Sequence, residues 1–233
     1  MPAVAFLPHP PALFPELTGG PLAEFESTRR AVDEALRRVL ADRPGAVWIV
    51  GAGPAEHWYG AGSQALRTAG GALAGFTADV PADGAGTTSE LPTALAVGAW
   101  LLDRVGYSGE RAALAVPAGA DAAQLDDLAA ELTGAQVLLV MGDGSAMRAD
   151  DAPGSRHPEA VGFDDLVATA LRVGDSAALA ALDPDLGMAV RAAGVPAWRL
   201  AGRLLAGRSV RAELLDYRAP FGVGYLVATW TDR

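Results

Sequence analysis

The sequence contains no cysteine, no lysine and no asparagine, and Ile49 is its only isoleucine. The missing cysteines exclude disulfides, thiolate metal sites, cysteine nucleophiles and thiol redox switching. Any metal must be held by histidine and carboxylate. The missing lysines exclude a Schiff-base lysine and a Walker-type phosphate lysine. This bias fits a GC-rich genome and says more about codons than about function. Basic charge is scarce as well: 18 arginines, scattered singly or in pairs, stand against 28 acidic residues, for a formal net charge of −10. A chain without a basic face cannot neutralise phosphates, which excludes nucleic acid as a partner and argues against a membrane surface. Long apolar runs are also missing. Hydrophobic residues make up 51% of the chain, but in blocks shorter than the ~18 to 20 residues a membrane helix needs, and no basic region opens the N-terminus. The expectation is a cytoplasmic protein with a substantial buried core, organised as one α/β domain over residues 1–233.

What is present alternates between strand and helix. Residues 3–7 form a short apolar block stopped by Pro8-His9-Pro10-Pro11, which reads as a buried strand running into a rigid loop. Leu22, Phe25, Val32, Leu36, Val39 and Leu40 recur at helical spacing over 21–40, with glutamates early and arginines late, as the helix dipole favours. Residues 46–50 read as a second buried strand, followed by Gly51-Ala-Gly-Pro-Ala-Glu-His57-Trp58. Residues 60–88, rich in Gly, Ala and Thr, read as an excursion over the sheet. A helix capped by Ser89 is expected up to about residue 105, with Pro92 in its first turn. Strand 112–116, helix 121–132 and strand 136–141 follow. The polar stretch 142–158 has the length and composition of a functional or mobile loop. Helices are expected over 163–173, 176–181, 184–193 and 197–206, with Asp175 and Asp183 as N-caps. The blocks 209–216 and 222–230 complete the chain as a β-hairpin. The fold class is therefore α/β, a central mixed sheet flanked by helices on both faces.

Three motifs bear on chemistry. Gly51-x-Gly53 follows a strand but lacks the third glycine of a dinucleotide fingerprint, where Glu56 stands instead, so a tight turn is the simpler reading. Gly144-Ser145 is similar to a nucleophile elbow, yet Met147 occupies the position of its second glycine. Asp143 and Ser145 serve equally well as turn acceptors and caps. The three histidines are more informative. His9 and His57 both follow expected strands, where open α/β sheets bind ligands; on neighbouring strands they would open onto one edge. Two imidazoles and a carboxylate on one face make the facial triad of non-haem Fe(II) enzymes. Spacing alone also fits structural duty, with His9 capping a Pro-rich turn and His57 bonded to backbone.

Taken together, Phe6-Leu-Pro-His9-Pro-Pro, the strand Val47-Trp-Ile-Val50 leading to Glu56-His57-Trp58, Met141-Gly-Asp-Gly-Ser-Ala146, and the terminal Arg211-Ala-Glu213-Leu-Leu through Pro220-Phe-Gly-Val-Gly-Tyr225-Leu-Val-Ala-Thr-Trp230 resemble the class III extradiol ring-cleavage dioxygenases. These form the protocatechuate 4,5-dioxygenase catalytic-subunit superfamily, which includes DOPA dioxygenases and Memo-like proteins; the resemblance is to its Ala-rich bacterial branch and covers nearly the whole chain. It implies a single α/β domain binding a divalent metal, Fe(II) or else Zn(II), with no organic cofactor. His9 and His57 match the first two metal ligands. The third falls to Glu213 in preference to Asp216, since strand alternation turns only one of them to the site. Active members carry a further acid/base histidine shortly after the Gly-x-Gly-Ser turn, where this chain has Met147-Arg148. His157 is the candidate substitute if the loop folds back.

Three functions follow as expectations. In the first, Fe(II) held by His9, His57 and Glu213 binds a small catecholic aromatic and opens its ring with O₂, His157 acting as acid/base. A binding or scaffold protein that has lost this chemistry is the second, as Memo-like relatives suggest, and a Zn-dependent hydrolase using the same ligands is the third. A homodimer is the base-rate expectation for assembly.

Overall fold

The computed structural model describes residues 1–42, 44–67 and 91–233. Strands β1 (Ala3–Leu7), β2 (Ala46–Gly53), β3 (His57–Tyr59), β4 (Glu110–Pro117), β5 (Val137–Met141), β6 (Val210–Arg218) and β7 (Tyr225–Asp232) form one sheet in the order β3-β4-β2-β5-β1-β7-β6. The centre is parallel, with β4 on β2, β2 on β5 and β5 on β1. Antiparallel strands close both sides, β3 against β4 and the hairpin β6–β7 against β1. The mixed sheet and the terminal hairpin match the expectation from sequence. The condition that would bring His9 and His57 to one edge, neighbouring first and second strands, is not met, because β5 lies between β1 and β2.

Helices cover both faces, which is why the central strands read as unbroken apolar runs rather than as alternating ones. Along β1, Ala5 and Leu7 point toward α2 (Glu26–Val39) and α3 (Thr93–Arg104), while Val4 and Phe6 point toward α4 (Ala122–Glu131), α5 (Ala160–Val173) and α8 (Val195–Leu204). Short helices α1 (Pro15–Thr18), α6 (Ser176–Ala180) and α7 (Pro184–Ala189) complete the described set. Asp121, Asp175 and Asp183 cap α4, α6 and α7 through side-chain oxygens. The α7 helix stops well short of residue 193 because Arg191 takes a left-handed conformation, φ 53°. The expected cap Ser89, with the stretch 68–90, lies outside the described residues.

The Gly51-x-Gly53 pair belongs to β2 itself. A Cβ at Gly51 would come within 2.7 Å of Ala94, one at Gly53 within 2.6 Å of Ala115, and one at Gly98 of α3 within 2.5 Å of Ile49. Gly51 and Gly98 let α3 lie directly on the sheet and Gly53 makes room for Ala115 of β4, and that packing accounts for them without a dinucleotide. Among the described residues no helix is long and apolar enough to cross a membrane.

Candidate functional site

In open α/β sheets ligands bind where the parallel strands end. Here β1 runs out into Pro8-His9-Pro10 and β5 into Gly142-Asp143, side by side, with the Gly142 N–H donating to the Leu7 carbonyl at 2.9 Å. The His9 N–H donates to Asp143 Oδ1 at 2.9 Å, and the ring Nδ1 stands 3.6 Å from the same oxygen. Both side chains are largely enclosed, 12% and 15% exposed, and His9 Nδ1 is buried without a hydrogen-bond partner. Burial pushes the Asp143 carboxyl above its ordinary range, opposed by His9. Tyr225, buried at the start of β7, has its phenol pushed upward by burial and then by the Asp143 charge. Phe25 stacks on Tyr225 at 5.3 Å and on Phe221 at 5.8 Å. The result is an imidazole backed by a carboxylate, beside a buried phenol and an aromatic wall.

The other expected residues stand elsewhere. His57 begins the edge strand β3, exposed and in edge contact with Tyr59 at 4.4 Å. Four strand spacings separate β3 from β1, about 19 Å at ~4.8 Å per strand. Glu213 faces α2, half exposed, and pairs with Arg38 at 2.6 Å. Through β7 it is level with Ala5, in the middle of β1 rather than at its end. Asp216 is nearly buried and accepts from Ser27 Oγ at 2.8 Å and Thr28 Oγ1 at 2.6 Å. A bulge between Leu214 and Asp216 turns both carboxylates to the same helix, so the alternation argument for choosing one of them does not hold. His157 sits just ahead of α5, its Nδ1 accepting the Glu159 N–H at 3.3 Å and its carbonyl accepting the Ala160 N–H at 3.2 Å. It is a local cap. Among the described residues no three His, Asp or Glu side chains gather closely enough to hold a metal ion. His9, His57 and Glu213 therefore do not fit a shared ion in this arrangement.

The stretch 142–158 lacks regular structure, as its composition implies, yet it is stitched down. Gly144 donates to Gly224, Arg148 to Gly222 and His157 to Met147, while the Asp143 carbonyl accepts from Gly194. Ser145 is fully buried, its hydroxyl donating to the Val190 carbonyl at 2.7 Å and accepting the Met147 N–H at 3.0 Å. That is a turn-forming serine, with no nucleophilic role.

Sequence reasoning missed Asp164. Its fully buried carboxylate accepts the Ser145 N–H at 2.8 Å and meets Arg148 at 3.2 Å; Arg148 also donates to the Tyr217 hydroxyl, which donates to Asp165 at 2.7 Å. Burial raises Asp164 from 3.8 to about 6. The signal was available: Asp164 falls on the apolar stripe of α5 with Ala160, Phe163, Val167 and Leu171, where a solvated aspartate does not belong.

No protein-family model and no curated protein matches the chain. Among solved structures, the crystal structure of the uncharacterised protein JW3007 from Escherichia coli K12 aligns with a TM-score of 0.54 at 13% identity, covering 99% of each chain. At that identity the likeness is one of fold, and it extends over the whole α/β sheet with its flanking helices.

Proposed function

We propose that this protein binds a small organic ligand at the carboxyl edge of its sheet, in a fold of the extradiol-dioxygenase kind whose iron chemistry its own residues no longer support. The observation that carries this reading is the dispersal of the implied ligand set. His9 is turned onto Asp143, His57 lies on the far edge strand, and Glu213 is held by Arg38. The acid/base position after the Gly-x-Gly-Ser turn holds Met147 and Arg148, and Arg148 is committed to Asp164 and Tyr217. His157 is occupied as a cap. A zinc hydrolase would need the same three ligands and meets the same objection. The sheet edge retains the features of a binding site, namely the enclosed His9–Asp143 pair, the Tyr225 phenol and the aromatic wall of Phe25 and Phe221.

Oxygen uptake tests this reading. Protein loaded anaerobically with Fe(II) is mixed with aerated catechol, protocatechuate and DOPA, and the expected rate is that of the no-protein control. Ring cleavage above that control, lost in His9→Ala, would overturn the reading in favour of the dioxygenase.

A further inference from the structure

A concavity opens at the same edge of the sheet, beyond β2 and β4. Its volume is about 300 Å³, the low end of the range for small-molecule sites. Small residues from both strand ends and from the α7–α8 connection form its walls, among them Ala52, Ala118, Gly187 and Ala193, with Met188 and Val195 adding apolar surface. Among the described residues the one charged lining residue is Arg191.

Arg191 occupies an unusual position. The Arg191 N–H donates to the Met188 carbonyl and the Ala192 N–H to the Gly187 carbonyl, which makes residues 187–192 a Schellman motif ending α7. Its left-handed residue is ordinarily glycine, because an L side chain is strained at φ 53°. This chain has arginine there. The stem of Arg191 lies along Gly154, where any Cβ would crowd both Met147 and the Arg191 Cδ. Arg191 is exposed, and among the described residues its guanidinium has no carboxylate partner although the chain carries ten more acids than bases, whereas the less exposed Arg38, Arg111, Arg148 and Arg199 are paired or bonded to carbonyls. A strained backbone, a supported stem and an unpaired cation all meet at the lip of an apolar cavity.

We propose that this cavity binds a small apolar carboxylic acid, aromatic or branched aliphatic, with its carboxylate on Arg191 and its hydrocarbon against the Ala, Met and Val walls. The guanidinium fork matches a carboxylate, and the described walls offer mostly apolar surface to the remainder of the ligand. The proposal rests on the reading that the sheet edge binds a small ligand, and it names the ligand's chemistry.

Calorimetric titration of metal-free protein in EDTA tests it, with benzoate and 3-methylbutanoate as probes and benzamide as the uncharged comparison. Saturable one-site binding of both acids is expected, with benzamide weaker by roughly tenfold or more, the scale of a charge-assisted pair. Arg191→Gly relieves the backbone strain, so it should fold at least as well as the parent by thermal melt while binding benzoate no better than benzamide. Ala193→Trp, which fills the cavity, should remove all three. Equal binding of benzoate and benzamide, full benzoate affinity in a folded Arg191→Gly variant, or no saturable binding of either acid would overturn the proposal. Oxygen uptake bears on the iron reading alone, so the two can fail separately.

Discussion

The carboxylate of Asp216 accepts two hydroxyl hydrogen bonds at the start of α2, whereas Glu213, three residues earlier, meets only the half-exposed Arg38. Their consequences for stability should differ accordingly. Asp216→Ala strands Ser27 and Thr28 and should cost about 1–3 kcal/mol in urea unfolding, while Glu213→Ala should cost about 0–1 kcal/mol and fade in salt. Asp143 offers a similar contrast within one side chain. Asp143→Ala removes the acceptor of the His9 N–H and should cost about 1–3 kcal/mol, whereas Asp143→Asn keeps an acceptor and removes a charge that burial disfavours, so it should be close to neutral at pH 7. At this scale the sequence pointed to His9 as a strand-end residue, and the structure places it there. It could not show that β6 is bulged, because period-two alternation carries no trace of an extra residue until the partner strand is known.

At the scale of elements, Asp164 couples three of them: α5, the 142–158 stretch, and the turn between β6 and β7. Cβ atoms at Gly144 and Gly224 would collide with its carboxylate, so both glycines serve the same close approach. The folded protein holds the Asp164 proton at about pH 6, against an ordinary 3.8, so folding takes up a proton between these values. Stability should therefore rise as pH falls from about 7 toward 5 and decline as pH climbs back through 6, with Asp143 shifted in the same direction. Urea midpoints measured across that range should slope this way in the parent, and Asp164→Asn should flatten the slope. An unchanged slope in that variant would assign it to another group. The helices and parallel strands were legible because burial on both faces leaves long apolar blocks and caps leave Asp at fixed positions. The strand β3 was not, since three residues at an edge carry no period. The close approach of α3 to the sheet at Gly51 and Gly98 is likewise a tertiary fact; Gly98→Val should cost about 1–3 kcal/mol by overpacking against Ile49 and Met141.

For the whole molecule the decisive feature is strand order. A sequence gives strands in succession but not their places in the sheet, and the insertion of β5 between β1 and β2, with β4 beyond, separates two histidines that only neighbouring strands would bring together. The fold class survives this rearrangement; the metal site does not follow from it. The most direct measurement is anaerobic equilibrium dialysis against Fe(II), followed by elemental analysis of wild type, His9→Ala and His57→Ala. Well under one iron per chain is expected in all three, with no difference between wild type and His57→Ala. One iron per chain in the wild type, lost in both variants, would contradict it.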